Sequence, residues 1–344
     1  MNRKYFLLGL FVLVLYGVWY LYRPYLMPMF IASLLALATS NLNSYFAKFI
    51  RFKTPRALLM TLVLGVLFFA PIVYAINAST AIVNNFDPAV VEKVVGLKHN
   101  FVLPDYLGFL KPHLKEFLDS LNSQDITKSI VGYATTIVQK SAGFFKDMFL
   151  ILVFYFFVNL YSKELVKFVR DILPFDRNST FFIEISNVMS VVFYSTLITA
   201  IFEGALFAII VMFFGYDGLL FGILYGFASL VPVIGGLIMW LPMAMYEYAS
   251  GNTMAALVIG IYSIVVISLI ADTFVKPMII KYVQTDIIKS KHKINEIVVF
   301  FSIIAGLTTY GFWGMILGPA ITTFFISLSR IYQVVLDEEK TNNA

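Results

Sequence analysis

The chain has 344 residues, 60% of them hydrophobic and 13% charged, with a net charge of +5 and a mean hydropathy of +0.85. A soluble core cannot hide that much apolar surface, so the solvent for most of the chain is lipid. The absence of cysteine excludes disulfides, thiolate metal sites and a cysteine nucleophile. His99, His113 and His292 show no ligand spacing, so neither a metal nor a cofactor is expected. The basic residues sit between apolar runs, where membrane topology already requires them, so the positive charge does not call for a nucleic-acid partner.

In chain order, the runs free of Asp, Glu, Lys and Arg are 5–22, 24–47, 57–86, 148–162, 185–202 (continuing past Glu203 to Tyr216), 218–246, 248–271 and 297–329. About 20 apolar residues cross a bilayer as helix. The predicted fold class is therefore an all-α polytopic membrane protein with eight hydrophobic units. The first run is longer than a signal-peptide core and reads as a retained span.

Basic connections set the orientation. Arg3 and Lys4, then Lys48, Arg51, Lys53 and Arg56, then Lys163, Lys167, Arg170 and Arg177 all fall on the cytoplasmic side when the N-terminus is inside. Eight simple crossings would leave the loop with Lys276, Lys281, Lys289, Lys291 and Lys293 outside. The stretch "SLVPVIGGLIMWLP" repairs this conflict. Pro232, Gly235 and Gly236 divide the sixth unit into pieces too short to cross alone, so a re-entrant helical hairpin that enters and leaves by one face returns the lysines to the cytoplasm. The eighth unit has the same form around "GFWGMILGP", Gly311 to Pro319. Span five with the first hairpin and span seven with the second would then form an inverted repeat of broken helices, an arrangement of secondary transporters. Two long tilted helices kinked at Pro and Gly satisfy the same lengths.

Residues 1–86 hold spans one to three, and 87–147 form an external region with helical segments behind Asp87 and Asp125. Its seven lysines balance seven acids, so it offers no charged ligand surface. Residues 148–184 contain span four and a cytoplasmic amphipathic segment, 185–330 the transport core, and 331–344 a cytoplasmic tail. The chain is thus expected as a multi-pass membrane protein with both termini cytoplasmic.

Three ionisable positions stand out at membrane depth. Glu203 lies near the middle of span five, where a carboxylate is costly unless protonated, paired or hydrated. It suits an ion-coupling role, or a hydrogen-bonded packing role. Asp272 and Lys276 are four apart on one helical face, either as part of the same coupling site or as an anchoring ion pair. Pro277 is expected to end that helix and free carbonyls for a cation or polyol. Asp217 and Glu247 bracket the first hairpin and read as structural residues at the water interface. No phosphate loop, His-Glu-x-x-His site or G-x-S-x-G elbow occurs, so an enzyme is not expected.

Four segments carry a resemblance: "LVPVIGGLIMWLP" (230–242), "ADTFVKP" (271–277), "INEIVVFFSIIAG" (294–306) and "YGFWGMILGPAI" (310–321). In these the chain resembles the autoinducer-2 exporter (AI-2E) family of bacterial membrane transporters. The resemblance implies export of a small polar molecule, with the quorum-sensing signal autoinducer-2 as namesake, and for some members Na+(Li+)/H+ antiport. It also implies that the membrane is a bacterial plasma (inner) membrane, and a homo-oligomer, a pentamer in the family, with a moving unit built from the broken helices. Carried over by position, the family's first break falls on Pro232, Gly235 and Gly236, its acidic position on Asp272 before Pro277, and its second break on Gly311, Gly314, Gly318 and Pro319. Where many members have a neutral Gln, this chain has Glu203.

The sequence therefore predicts a secondary transporter driven by a proton or sodium gradient. Glu203, Asp272 and Lys276 would couple the ion, and the two breaks would line the path of a small-molecule substrate. The alternatives are a Na+(Li+)/H+ antiporter and a membrane scaffold that recruits partners through residues 87–147.

Overall fold

The computed structural model describes residues 3–84, 143–172, 181–231, 234–288 and 296–342. Residues 87–142 of the expected external region, Pro232 and the three histidines lie outside the described residues. Among the described residues every regular element is helical. Five helices among the described residues are long and apolar enough to cross a membrane: α1 (Arg3–Ala38), α3 (Lys53–Asn84, apolar through Ala78), α4 (Gly143–Leu160), α6 (Phe181–Met212) and α9 (Thr253–Ile287). Between them lie α2 (Ser40–Phe46), α5 (Ser162–Ile172), α7 (Gly218–Ala228) and α8 (Gly235–Ala249); α10 (Glu296–Tyr310) and α11 (Gly314–Asn342) close the chain.

The helices sort into two compact units, Met1–Gly65 with Gly143–Ser190 and Ile294–Ala344, and Val66–Ala142 with Val191–Lys293. In the first unit the C-terminal half of α1 buries Ile31, Ala32, Leu34 and Leu35, with Met60 of α3, Met148, Ile151 and Tyr155 of α4, and Met189 of α6 also in the core. Where α1 gives way to α2, Thr39 Oγ1 lies 2.7 Å from the buried Tyr155 hydroxyl, and Ser190 Oγ donates to the Ala38 carbonyl at 2.7 Å. These contacts satisfy the groups freed by the helix break, which apolar surroundings demand.

Runs one and two were expected as separate spans. Instead α1 is continuous from Arg3 to Ala38, through Pro24 and Pro28. The only charge between the runs is Arg23, whose guanidinium sits 5.5 Å from the Trp19 ring centre, and no glycine supplies a turn there. At about 1.5 Å per residue the helix outreaches the roughly 30 Å hydrocarbon layer. Arg3 and Lys4 therefore stand at the opposite end of a 36-residue helix from the basic α2–α3 connection. If α1 crosses once, the two ends lie on different faces.

Helix α9 also departs from expectation, because Pro277 does not end it. Residues Ser263–Val275 adopt a π-helical register and Lys276–Tyr282 resume the α-helix. The Lys276 amide donates to the Ala271 carbonyl, five residues back. The wider turn before Pro277 accommodates a ring that would collide with the carbonyl ladder of an ordinary helix. The second break is narrower than the stretch 311–319: only Gly311–Trp313 form a single tight turn, with Gly311 at φ +62°, and α11 begins at Gly314. A Cβ on Gly306 or Gly314 would fall on the other's backbone carbonyl, so α10 and α11 touch backbone to backbone.

In the second unit, Phe207, Ile210 and Val211 of α6 pack with Tyr225 of α7, Met243 of α8, and Ile259 and Ile267 of α9. Helices α6 and α7 also approach closely, though less so, because a Cβ on Gly222 would lie 2.8 Å from the Gly204 carbonyl oxygen.

Candidate functional site

Glu203 occupies α6 beside Gly204, at the point where the missing side chain lets α7 come close. It is buried, with 3% of its surface exposed. Its Oε1 has no hydrogen-bond partner and faces Lys276 Nζ at 3.9 Å. The same ammonium reaches Asp272 Oδ1 at 3.2 Å. Lys276 thus stands between one buried carboxylate and one that is half exposed (45%). With both acids ionised the trio carries one net negative charge.

These groups line a cavity of about 170 Å³ within the second unit. Tyr225 and Ser229 border it from α7 and the turn that follows, Trp240 from α8, and Ser268 from α9. Gly235 and Gly236, the first residues of α8, form another wall. A Cβ on Gly235 would collide with the Ala228 carbonyl, and one on Gly236 with the Tyr225 hydroxyl. Glycine is required at Gly235 to bring the α8 backbone against the end of α7, whereas at Gly236 its absence of a side chain makes room for the Tyr225 ring beside the cavity.

Five of the expected site residues therefore meet here: Glu203, Asp272, Lys276, Gly235 and Gly236. Gly311, Gly314, Gly318 and Pro319 lie in the first unit, in the turn and first helical turns of α11. There a Cβ on Gly318 would fall on the Ser302 carbonyl of α10. Tyr225, Ser229, Trp240 and Ser268 were not anticipated. Ser268 carried a signal, since 268, 272 and 276 recur every four residues along one helical face. Among the described residues no cluster of acids and histidines is arranged to hold a metal ion.

The acids that bracket α7 and α8 have separate duties. Asp217 caps α7: its Oδ1 accepts from the Leu220 amide at 3.0 Å and its Oδ2 from the Tyr74 hydroxyl at 2.9 Å. Glu247 is buried and accepts a hydrogen bond from the Tyr216 hydroxyl. The Leu220 amide, followed by the Tyr74 hydroxyl, holds the Asp217 carboxyl below its ordinary value of 3.8. A depressed folded-state value adds stability above the unfolded value and loses it as pH falls through the folded one. Asp217→Ala is accordingly expected to cost about 1 kcal/mol at neutral pH, the usual worth of an N-cap. In thermal unfolding, the gap between variant and parent should narrow as pH drops below about 4. A gap independent of pH would count against the charged cap.

The sequence profile described as "AI-2E family transporter" matches residues 8–333. Two relatives from different strains of Helicobacter pylori, each named "Putative transport protein", are similar to the chain over nearly its whole length. One is 33% identical over 337 residues, covering 97% of both chains, and the other 32% identical over 348 residues, covering 99% of both. A relative of the same name from Aquifex aeolicus is 24% identical over 269 residues, covering 70% of this chain and 72% of its own.

Proposed function

Because the chain belongs to the AI-2E family of membrane transporters, we propose that the cavity between Glu203, Asp272 and Lys276 is where a small polar solute is bound and its movement coupled to a proton or sodium gradient. The observation that carries this reading is the orphaned, buried Oε1 of Glu203 facing an ammonium that a second carboxylate also holds. An intramembrane acid without a full set of partners is a functional group by default. One proton or one monovalent cation neutralises the trio, which is the stoichiometry an ion-coupled step uses.

In this reading α7 and α8 are the arms of a re-entrant hairpin whose tip is the break around Pro232, and α10 and α11 form its inverted counterpart. The Gly235 amide is already held by the Val231 carbonyl, but the next amides at the start of α8 carry the positive end of a helix dipole and can donate to a solute oxygen. The carboxylates, Ser229, Ser268 and the Tyr225 hydroxyl accept from the solute's hydroxyls. That suits export of a polyol of autoinducer-2 type, and about 170 Å³ limits the cargo to a small molecule. The protein would work as a homo-oligomer in the bacterial inner membrane, with the basic connections and the C-terminal tail cytoplasmic.

The net negative charge of the trio favours a second reading, Na+(Li+)/H+ antiport, in which Lys276 is displaced when a cation enters between the acids. Proteoliposomes with trapped pH and sodium dyes separate the two. Antiport predicts proton flux on adding sodium or lithium alone, lost in Asp272→Asn. Solute export predicts proton or sodium flux only when solute is present. Absence of flux under both conditions would defeat the coupling assignment.

A further inference from the structure

Transport makes no use of the charged and aromatic surface on the connection between α2 and α3 and on α5. Phe49 and Phe52 protrude from the connection, 72% and 75% exposed, beside exposed Lys48 and Arg51. On α5, helical spacing gathers Leu165, Phe168 and Val169 into one stripe, with Lys163, Lys167, Glu164 and Asp171 on the opposite, polar face, and all seven are exposed. Lys53 Nζ meets Glu164 Oε1 at 3.0 Å. That pair fastens the connection to α5 and neutralises Glu164, leaving a basic margin around protruding phenylalanines. Both segments adjoin membrane-length helices, since α5 starts two residues after α4 ends and the connection leads directly into α3.

Phenyl rings standing out of a polar surface are unfavourable in water. At a bilayer surface the rings enter the boundary between headgroups and acyl chains while the lysines remain at the level of the phosphates. We propose that the α2–α3 connection and α5 form one platform that binds the headgroups of anionic phospholipids. The occupant is a lipid surface because the platform is amphipathic, its exposed Lys48, Arg51, Lys53, Lys163 and Lys167 outnumber Glu164 and Asp171, and it lies at the end of spanning helices. An acidic protein would match the lysines but has no use for the stripe's continuity with those spans.

The test uses full-length protein in phosphatidylcholine bilayers containing spin-labelled phosphatidylglycerol or spin-labelled phosphatidylcholine as probes. The parent is expected to restrict phosphatidylglycerol preferentially, less so as salt is raised. A basic side chain near an anionic surface changes association by about fivefold. The variant Lys48→Gln/Arg51→Gln/Lys163→Gln/Lys167→Gln should therefore lose at least about fivefold of the preference. Lys146→Gln, at the far end of α4, should keep it. If the fourfold variant does not reconstitute, the two pairs are exchanged separately, and each is expected to remove part of the preference. Equal restriction of both lipids by the parent, survival of the preference in the variants, or an equal loss in Lys146→Gln would overturn the proposal.

Discussion

Glu203→Gln is expected to abolish the dependence of transport on the proton or sodium gradient while leaving the protein folded. The substitution preserves volume and hydrogen-bonding capacity, so Tyr225 and the close approach of Gly204 to α7 are undisturbed. It removes the one buried charge in the trio, whose Oε1 has no hydrogen-bond partner. Driving a two-state carrier from about 1:99 to 99:1 takes roughly 10⁴-fold differential binding. A neutral amide offers a proton or cation no such difference. Gradient-driven flux in proteoliposomes should fall by on the order of 100-fold, with unchanged elution and thermal unfolding. Retention of the parent's pH profile would remove Glu203 from the coupling role and leave it a packing residue.

The second large effect concerns the α10–α11 hairpin. Gly306→Ala inserts a methyl where the Gly314 carbonyl already lies, and neither backbone can give way without separating the helices. The change gains about 1 kcal/mol of helix propensity. Overpacking against backbone costs about 3 kcal/mol, so the steric term wins by roughly 2 kcal/mol and the melting temperature should drop by several degrees. Gly17→Ala in α1 is the matched control, because a Cβ there meets nothing within 4 Å and only the propensity gain remains. If both variants melt alike, the helices do not pack backbone to backbone as described.

The distribution of apolar runs made the helical membrane character legible, since length and lack of charge alone decide whether a helix spans lipid. The three ionisable residues of the candidate site were legible for a related reason: Glu203 interrupts one apolar run, and Asp272 and Lys276 follow directly on the end of another. Continuity was harder to read. Arg23, which separates the first two runs, and Pro277 both suggest an interruption, yet α1 and α9 run through them, the latter by a π-helical register that leaves no trace in residue type. Glycine was ambiguous in another way. Gly235 brings backbone to the cavity, whereas Gly314 and Gly318 bring one helix to another. The sequence signals are the same, and only the neighbouring backbone distinguishes them. Tyr225, Ser229 and Trp240 reach the cavity through tertiary packing of α7 and α8, and no spacing rule announces such a convergence.

Coupled transport through the cavity proposed above requires that it be exposed alternately to the two sides of the membrane. The native chain has no cysteine, so Ser268→Cys places a single reporter on the cavity wall without a prior background substitution. Labelling in oriented proteoliposomes by a membrane-impermeant thiol reagent, with the ion gradient imposed in one direction and then the other, tests the claim most directly. The cysteine is predicted to react from one side under the first gradient and from the opposite side under the second, and Glu203→Gln should suppress the switch. Reaction from the same side under both gradients would contradict alternating access at this site.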